Sequence, residues 1–290
     1  RFYTKNRSYP QLPNGTKLYM GDYVFDTRIE KLLSEDGIQR IAVLRADVDD
    51  LGLAFISGFT RQSPDPKVRN QYNTLSRTAA FSRQLSLFFK YYLNFLLEGK
   101  EDTYNIPVES GQNARKKVVT VYSGGDDVFL IGNIKDILES AIMIQDSFSR
   151  YTCKTLSISF GIGIYPARYP IYRSAVETEE LESLAKSNDG KNSISLFTTG
   201  EDHSYRLDIF KKNVLDEKFA LLNEFFGYNN ADKERGNAFL YRLMHFIKSS
   251  EDKINIARYA YLLARMEPIG KNEEYRNLYQ KFSNAMYGWI

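Results

Sequence analysis

The sequence predicts an α+β protein in which a ferredoxin-like βαββαβ domain is followed by an all-helical region. Short apolar runs of strand length alternate with two amphipathic helical stretches. A turn rich in glycine and aspartate joins two of these runs in the manner of a β-hairpin. From about Ser204 onward only helical patterns are found. We therefore predict a linker segment at residues 1–37, the sheet domain at residues 38–203 and the helical domain at residues 204–290.

The first strand and the helix after it are predicted within residues 38–99. The run IQRIAVLRAD, residues 38–47, is rich in β-branched residues and ends at a cluster of acids. A polar stretch with prolines, residues 60–71, is predicted to be a loop. Residues 73–99 then form a long helix that ends near Gly99, with a predicted apolar face of Leu75, Ala79, Leu85, Phe88, Phe89, Tyr92 and Leu96.

A hairpin, a second helix and a fourth strand complete the predicted βαββαβ order. The runs KKVVTVY and DVFLIG are joined by SGGD, which is the spacing of a hairpin. The helix predicted over residues 133–151 begins at the N-cap Asn133 and carries an apolar face of Ile137, Ala141, Ile144 and Phe148. The strand TLSISFGIGIY follows it. A short helix at residues 181–187 and a last strand, SISLF, are predicted on either side of a break at NDG.

The helical domain is predicted from four amphipathic stretches, at residues 205–226, 237–250, 254–267 and 273–290. Gly, Asn, Ser and Pro separate them. Tyrosine and phenylalanine are abundant, at 21 and 19, and they mix with lysine and arginine along these stretches. Aromatic residues at helical spacing are typical of ordinary packing, and the same mixture also fits a surface that binds a partner.

Composition excludes several kinds of site. The net charge of +3 comes from 39 basic and 36 acidic residues, so it indicates no polyanion partner for the chain as a whole. The single Cys153 excludes an intramolecular disulfide or a multi-cysteine zinc site, and two histidines argue against chemistry that needs several. No apolar run reaches the ~18 residues of a membrane span, so we expect a cytoplasmic protein. A chain that opens on Arg1 is expected to be a piece of a larger protein.

Three carboxylates are predicted to meet at one edge of the sheet. Asp47 ends the first strand, and Asp126 with Asp127 begins the third. In a βαββαβ sheet these two strands are antiparallel neighbours, so the end of one lies beside the start of the other. Crowded like charges require a cation or a raised pKa. Carboxylates without a neighbouring histidine favour a hard divalent ion such as Mg²⁺ or Mn²⁺.

The residues beside these carboxylates also permit two interpretations. Gly124 and Gly125 allow a positive φ and lack a Cβ, so the backbone can approach a phosphate, although glycine and aspartate are also ordinary turn residues. Asp49 shares the strand parity of Asp47 and either assists it or caps the following turn, and Asp50 points elsewhere or caps that turn. Two lysines, Lys186 and Lys191, flank the NDG break, where they either bind a triphosphate or are simply solvated.

Four motifs, VLRADVDDLG, YSGGDD, SISFGIGIYP and LAKSNDGKNSISLF, occur in this order and together resemble a known family. They are similar to the second palm domain of the large subunit of type III CRISPR effector complexes, the Csm-type cyclic oligoadenylate synthase. That palm is similar to those of GGDEF diguanylate cyclases and nucleotide polymerases. The resemblance covers about residues 38–200, and the helical tail resembles the C-terminal domain of the same family.

The resemblance implies an activity and its site. Two divalent ions, Mg²⁺ or Mn²⁺, would be held by Asp47, Asp126 and Asp127, which would be the catalytic residues. ATP would be the substrate, with a 3′-hydroxyl attacking an α-phosphate and pyrophosphate leaving, and the product would be a ring of 3′-5′-linked adenylates made when target RNA is bound. The residues at the nucleotide would be Ser123, Gly124, Gly125, Lys186 and Lys191.

The resemblance also implies partners. Small subunits would bind the helical domain, the subunit that binds the crRNA end would bind the palm, and crRNA and target RNA would be reached through the complex, with no membrane involved. The chain departs from the family in having Asp50 where Asn is common, and in showing no HD nuclease pair, first palm or zinc module. We therefore expect that this piece alone is inactive without the N-terminal half.

Two other functions remain open from the sequence. One is a scaffold that binds RNA and other subunits without catalysis. The other is a relative of the diguanylate cyclases that uses GTP, although the loop ends in Asp127 and Val128 rather than Glu and Phe and no inhibitory Arg-x-x-Asp motif precedes it.

Overall fold

The computed structural model describes residues 3–5, 15–33, 38–99, 115–199, 203–228, 239, 241–246, 253–268 and 273–289. Contacts within the chain divide it into two units, Arg1–Leu207 and Asp208–Ile290. The first unit contains the sheet and the second contains helices, so the predicted α+β class is confirmed.

The first unit is built on a six-stranded sheet in the order β4-β5-β3-β6-β7-β8. The strands are β3 (Arg40–Val48), β4 (Val118–Ser123), β5 (Asp127–Asn133), β6 (Ile158–Pro166), β7 (Ser193–Leu196) and β8 (Ser204–Arg206). All neighbours are antiparallel except β6 and β7. β3, β4, β5 and β6 have the predicted βαββαβ arrangement, with β3 between β5 and β6. Strand β8 extends the sheet at residues that we predicted to be helical.

The helices of the first unit are α1 (Leu51–Ser57), α2 (Pro66–Arg69), α3 (Leu75–Leu87), α4 (Leu93–Glu98), α5 (Ile134–Tyr151) and α6 (Ile171–Ser187), and a π-helical turn, Phe88–Tyr92, joins α3 to α4. The N-cap of α5 is the predicted Asn133, whose Oδ1 accepts the N–H of Lys135 at 3.0 Å. Helix α2 lies within the predicted loop. Helix α6 begins ten residues before the predicted Leu181. The first half of the helix was missed because it buries small polar residues, Ser174 and Thr178, and so shows no apolar stripe in the sequence.

The long helix of α3 and α4 is confirmed, but its apolar face is buried only in part. From Leu85 onward the side chains enter the core, and Phe88, Phe89 and Leu93 are completely buried. Leu75 is 85% exposed, and Ala79 is also exposed. The first turns of α3 therefore contribute little to the core of this unit.

Part of the segment that we predicted to be a linker lies against the sheet domain. A parallel pair of short strands, β1 (Tyr3–Lys5) and β2 (Thr16–Leu18), is followed by an extended stretch. In that stretch Tyr23 is buried, and its hydroxyl donates to the carbonyl of Lys116 at 2.7 Å. The side chain of Asn94 accepts the N–H of Tyr23 at 3.1 Å, and Val24 bridges the edge strand at Val119.

The second unit is helical. It begins within α7 (Leu207–Ile209) and contains a π-helical stretch (Phe210–Phe219), α8 (Ala220–Tyr228), α9 (Lys253–Ala264) and α10 (Glu273–Gly288). Of the helix predicted over residues 237–250, the structure describes 239 and 241–246, which are helical, and the other residues lie outside the described ranges. The core contains Phe225, Phe239, Leu243, Tyr259, Leu263, Leu278, Tyr279, Phe282 and Met286. No helix in the described ranges is long and apolar enough to cross a bilayer.

Candidate active site

The predicted carboxylates meet where β3 ends and β5 begins. Asp47 and Asp127 are direct partners in the antiparallel register, so their side chains leave the same face of the sheet. Asp126 lies in the turn just before β5, and its carbonyl accepts the N–H of Val48 at 3.2 Å. The topology thus brings together three acids that are far apart in the sequence.

The charges at this edge perturb one another. Burial raises the pKa of the Asp126 carboxyl, and the neighbouring charges of Asp47 and Asp127 raise it further, while the ammonium of Lys186 lowers it by less. A carboxylate whose charged form is disfavoured in this way gains from a nearby cation. The electrostatic crowding predicted from the sequence is therefore present.

Lys186 reaches these acids from the last turn of α6. Its ammonium donates to Oδ2 of Asp47 and lies 3.1 Å from Oε1 of Glu182, one helical turn earlier. Burial disfavours the charged ammonium, but the hydrogen bond to Asp47 and the charges of Glu182 and Asp47 outweigh it, so the pKa of Lys186 is raised. Lys186 is held as a cation between two carboxylates.

Glu182 is a part of this site that the sequence analysis missed. It is buried, and its Oε2 lies 3.4 Å from Nε of Arg45 on β3. Burial raises the pKa of Glu182, and the charges of Lys186 and Arg45 only partly oppose this. The signal available in the sequence is the spacing of four residues between Glu182 and Lys186, which places them on the same face of a helix.

The position of α6 depends on Gly161 of β6. A Cβ at Gly161 would lie 2.5 Å from the carbonyl oxygen of Thr178 and 2.9 Å from the carbonyl carbon of Leu181. The helix backbone therefore packs directly on the strand. This close approach brings Glu182 and Lys186 to Asp47.

Lys191 does not pair with Asp47 or Glu182, unlike Lys186. Its ammonium lies 2.5 Å from Oδ1 of Asp50. The turn that carries it places Lys191 and Asn192 in the left-handed region, with φ of 49° and 48°. Asp50, at the start of α1, is also left-handed, with a φ of 51°. The two lysines proposed from the sequence thus pair with different acids.

Asp49 connects the end of β3 to this turn. It is 3% exposed, and its Oδ2 accepts the hydroxyl of Ser157 at 2.7 Å and the N–H of Asn192 at 3.0 Å. Its own N–H donates to the carbonyl of Ser157 at 2.9 Å. Its other carboxylate oxygen, Oδ1, is buried without a partner among the described residues. Neither interpretation weighed from the sequence includes these two partners: Asp49 ties three segments of chain together.

The hairpin turn has the predicted position but a different backbone. Neither Gly124 nor Gly125 has a positive φ, so the turn does not use the conformational freedom that these glycines allow. Gly124 is needed for space, since a Cβ there would lie 2.7 Å from Oδ1 of Asp127 and would collide with the hydroxyl of Tyr122. A Cβ at Gly125 would have its nearest neighbour, Oγ of Ser86, at 3.8 Å, so this position is open.

Tyr122, which the sequence analysis did not single out, contacts the site, whereas the Ser123 side chain points into the core. The Tyr122 hydroxyl hydrogen-bonds the carboxylate of Asp127, whose charge is the largest cause of the raised pKa of Tyr122. The hydroxyl of Ser123 is buried and donates to the carbonyl of Phe89 at 2.6 Å. Because a β-bulge lies between Thr120 and Tyr122, simple alternation does not predict which side chain turns inward. The Ser123 side chain is thus committed to the core.

A cleft of about 530 Å³ opens beside Asp49 and Asp50. Its walls are mainly apolar and include Leu53, Phe59 and Phe81, and residues 155–157 also line it. The rings of Phe59 and Phe81 meet edge to face at 5.9 Å. A mainly apolar cleft of this size with two acids in its lining is typical of a small-molecule site. The sequence analysis did not predict it.

The side chains of Asp47, Asp126 and Asp127 are of a type that binds a divalent ion, but they are not arranged as a metal site in this structure. The donors are carboxylate oxygens with a raised pKa among them, as expected for a hard ion. Within the described ranges, however, no group of three or more His, Cys, Asp or Glu side chains is arranged to hold a metal ion. Asp47 is instead paired with Lys186. The assignment of metal to Asp47, Asp126 and Asp127 stays a prediction.

Comparison with known solved structures supports the fold. A Csm1-Csm4 cassette in complex with AMPPNP covers 97% of this chain, and this chain covers 42% of it, with a TM-score of 0.65 and 23% identity. A Csm1 structure from T. onnurineus has a TM-score of 0.66 at 22% identity, over 98% of this chain and 43% of the other.

Curated relatives extend the likeness to the sequence. Two proteins named CRISPR system single-strand-specific deoxyribonuclease Cas10/Csm1 (subtype III-A), from Mycobacterium tuberculosis and Streptococcus thermophilus, are each 38% identical over 100% of this chain. The chain covers 34% and 35% of them. It thus spans about a third of the length of these relatives.

Family models match both units. The model of the Cas10/Cmr2 second palm domain matches residues 40–195, and that of the second helical domain of the CRISPR RNA silencing complex Cmr2 subunit matches residues 223–290. The first of these models covers more than half of the 290 residues, and it includes every predicted site residue. The chain therefore belongs to the Cas10/Cmr2 family and carries its second palm domain.

Proposed function

We propose that this chain carries the nucleotidyl-transfer site of an RNA-activated cyclic oligoadenylate synthase within a type III CRISPR antiviral complex. The observation that carries the proposal is the pairing of Asp47 with Asp127 across β3 and β5, with Asp126 in the turn beside them. This arrangement places carboxylates at the edge of a palm sheet, where a nucleotide triphosphate and divalent ions can be bound together.

The ligands named for related structures support ATP as the substrate. Csm1-Csm4 cassettes are described in complex with one ATP, with pppApA, with pppApApA, with cA3 and with cA4. These ligands form a series from the monomer through linear oligoadenylates to rings. We infer the same series for this chain: 3′-5′ linkage of adenylates, with pyrophosphate as the leaving group, followed by ring closure.

In the proposed site the carboxylates and the lysines have separate tasks. Asp47, Asp126 and Asp127 would hold Mg²⁺ or Mn²⁺, and such ions stabilise the charge on the attacking and leaving oxygens. The ammonium of Lys186, already a cation between Asp47 and Glu182, lies where it can bind phosphate oxygens. Lys191, beside Asp50, would bind the outer end of the triphosphate.

The cleft beside Asp49 would receive the adenine base. Its apolar wall of Leu53, Phe59 and Phe81 suits the faces of a purine, and Asp49 and Asp50 in its lining closely follow Asp47 in the chain. The backbone of Gly124 and Gly125 would lie along the nucleotide. Ser123 contributes only its backbone to this proposal, because its hydroxyl is bonded to Phe89.

The remaining parts of the proposal concern the assembly. The related Csm1-Csm4 structures are named as complexes of Csm1 with Csm4, and one of them is named as a subcomplex in the type III-A CRISPR-Csm interference complex. We propose that a subunit of this kind, which binds the crRNA end, docks on the palm and that small subunits dock on the helical unit. Target RNA, bound by the whole complex, would activate synthesis in the cytoplasm.

The test is substitution of the two turn acids in the assembled complex. Asp126→Asn with Asp127→Asn should abolish oligoadenylate formation from ATP with Mg²⁺ or Mn²⁺, measured by chromatography of the products, because both proposed metal ligands lose their charge. The matched control is Asp189→Asn, an exposed acid in the turn after α6. It should leave the product yield unchanged. Undiminished synthesis by the double variant in an intact complex would refute the proposal.

A non-catalytic scaffold is the second candidate, and one observation favours it. Lys186 already neutralises Asp47, and no three-carboxylate metal group is assembled within the described ranges. On that view the carboxylates and lysines only hold the palm together. Titration of ATP with and without Mn²⁺ separates the two functions: the scaffold predicts no metal-dependent binding, and the synthase predicts it. Binding of GTP in preference to ATP would instead favour a relative of the diguanylate cyclases.

A further inference from the structure

The positive charge of the chain is concentrated in one segment, which we call the basic arm, residues 51–84. The arm carries five basic residues, Arg61, Lys67, Arg69, Arg77 and Arg83, and one acidic residue, Asp65. Its net charge of +4 exceeds the +3 of the whole chain, so the other residues together are slightly negative. The small net charge of the whole chain does not show this uneven distribution of charge along the sequence.

The side chains of the arm are built around Tyr72. The guanidinium of Arg61 lies 4.2 Å from the centre of the Tyr72 ring, and that of Arg77 lies 4.0 Å from it. Arg61 also donates to the Tyr72 hydroxyl at 2.7 Å. The backbone N–H of Arg61 bonds to the carbonyl of Arg69 at 2.9 Å and closes the loop between them. The arm thus presents guanidinium groups on a shaped support rather than on free chain ends.

None of the five cations has an acidic partner in the part of the chain that the structure describes, and all five are exposed. The carboxylate of Asp65 accepts the N–H of Lys67 at 2.9 Å and so caps α2. Elsewhere in the first unit, by contrast, Lys116, Lys186 and Lys191 each pair with a carboxylate. Cations that no internal acid neutralises are available to an external polyanion.

The uncharged residues of the arm favour nucleic acid over an acidic protein. Four exposed amide side chains, Gln62, Asn70, Gln71 and Asn73, lie among the cations, and amides both donate to and accept from bases and 2′-hydroxyls. Exposed apolar side chains, Leu53, Ile56 and Leu75, border them, at 62%, 74% and 85% exposure. Amides, guanidinium groups and apolar surface together match single-stranded RNA, whose phosphates and unpaired bases are both accessible.

We propose that the basic arm is a binding surface for single-stranded RNA. Arg61, Arg69 and Arg77 contact backbone phosphates, and the neighbouring amides contact bases and 2′-hydroxyls. The arm begins directly after Asp50, and its residues Leu53, Ala54, Phe59 and Phe81 are among those that line the cleft. An RNA strand on the arm therefore lies next to the candidate active site. The surface is independent of the proposed synthesis, since none of its cations belongs to the carboxylate site.

Removal of the cations tests the surface. In the full chain, Arg61→Gln with Arg69→Gln and Arg77→Gln should weaken binding of a fluorescein-labelled single-stranded RNA of about 20 nucleotides by about tenfold or more, measured by anisotropy. The slope of log affinity against log salt should fall by about 2, since each phosphate contact contributes about 0.7 for single strands. Weakening without a change in slope would contradict contacts to phosphates.

A matched control removes three exposed cations elsewhere, by Lys135→Gln, Arg168→Gln and Lys212→Gln. This control should bind the RNA as the unsubstituted chain does, with an unchanged slope. Equal affinity of the arm variant and the control would overturn the proposal. Arg61→Lys with Arg77→Lys keeps the charge but alters the groups on Tyr72, and it should retain the salt slope with an affinity loss of only a few-fold.

Two competitors identify the partner class. A DNA strand of the same sequence that binds more tightly than the RNA would overturn the assignment to RNA. Polyglutamate of the same charge should displace the RNA poorly, because it offers neither bases nor 2′-hydroxyls. Displacement as effective as that by unlabelled RNA would instead make the arm a docking surface for acidic protein and overturn the proposal. Thermal unfolding of each variant confirms that the fold is retained.

Discussion

The sheet edge and the basic arm are adjacent in the chain, yet they differ in how their charged side chains are paired. At the sheet edge Lys186 lies between Asp47 and Glu182, and Glu182 also faces Arg45. In the arm, five exposed cations have no acidic partner among the described residues. Preorganised charges are typical of chemistry, where reorganisation would be costly, and unpartnered charges are typical of a binding surface. The same contrast holds for packing, since Glu182 is buried and Asp47 and Lys186 are half-buried, whereas the cations of the arm are exposed.

Two glycines give the largest expected difference between these regions. Gly161→Ala should lower the free energy of unfolding by about 3 kcal/mol, because the new Cβ meets the backbone of α6, which cannot shift as a side chain could. Gly52→Ala in α1 is the matched control: a Cβ there has no neighbour within 4 Å among the described residues, and alanine favours a helix. The control should raise the free energy of unfolding by about 0.5 kcal/mol.

Chemical denaturation of the two variants measures both changes. A loss at Gly161 that is no larger than the change at Gly52 would mean that α6 is not held against β6. The conclusion that the sheet edge is tightly packed and the basic arm is not would then be wrong.

Asp49 gives an intermediate effect. Asp49→Ala should cost about 2 kcal/mol, because the partly buried hydroxyl of Ser157 and N–H of Asn192 lose their acceptor. Combined with Ser157→Ala, it should show a coupling of about 1 kcal/mol in a double-mutant cycle. On the arm, Asp65→Ala removes the cap of the short α2 and should cost about 0.5 kcal/mol.

The same variants test whether Asp49 connects the end of β3 to the loop before β6 through its hydrogen bond with Ser157. A purely additive pair, with no coupling between positions 49 and 157, would contradict the connection of β3 to the loop before β6. Asp49→Asn keeps one acceptor oxygen, so it should recover most of the stability lost in Asp49→Ala.

The position of the carboxylates could be predicted because it depends on strand order alone. A βαββαβ chain places the end of its first strand beside the start of its third, and Asp47 is indeed opposite Asp127. Lys186 was placed in a helix ending at Ser187, which is also where α6 ends. These features depend on periodicity and breaks, which a sequence displays directly.

Other features depend on local backbone conformation, which the spacing of apolar residues in the sequence does not indicate. The bulge between Thr120 and Tyr122 turns Ser123 inward, and two successive left-handed residues direct Lys191 to Asp50. Leu75 shares the helical spacing of the core residues but is exposed, so the spacing alone wrongly assigned it to the core. The domain boundaries and the roles of the site residues stay predictions.

Glu182 gives the smallest expected effect, seen as a dependence of stability on pH. Burial raises the pKa of Glu182 in the folded state above its ordinary value of 4.5, so the folded protein binds the proton more tightly than the unfolded chain does. The stability from this group is complete below that ordinary value and is lost as the pH rises through the raised pKa. The free energy of unfolding should therefore fall less with rising pH in Glu182→Gln than in the unsubstituted chain.

Glu180→Gln, an exposed acid on the same helix, is the control and should leave the pH profile unchanged. Urea denaturation between about pH 4 and pH 7 measures the three slopes. If Glu182→Gln and the unsubstituted chain lose stability in parallel, Glu182 is as solvated as the residues of the arm. Lys186 would then be held by Asp47 alone, and the sheet edge would be less preorganised than its network of ion pairs indicates.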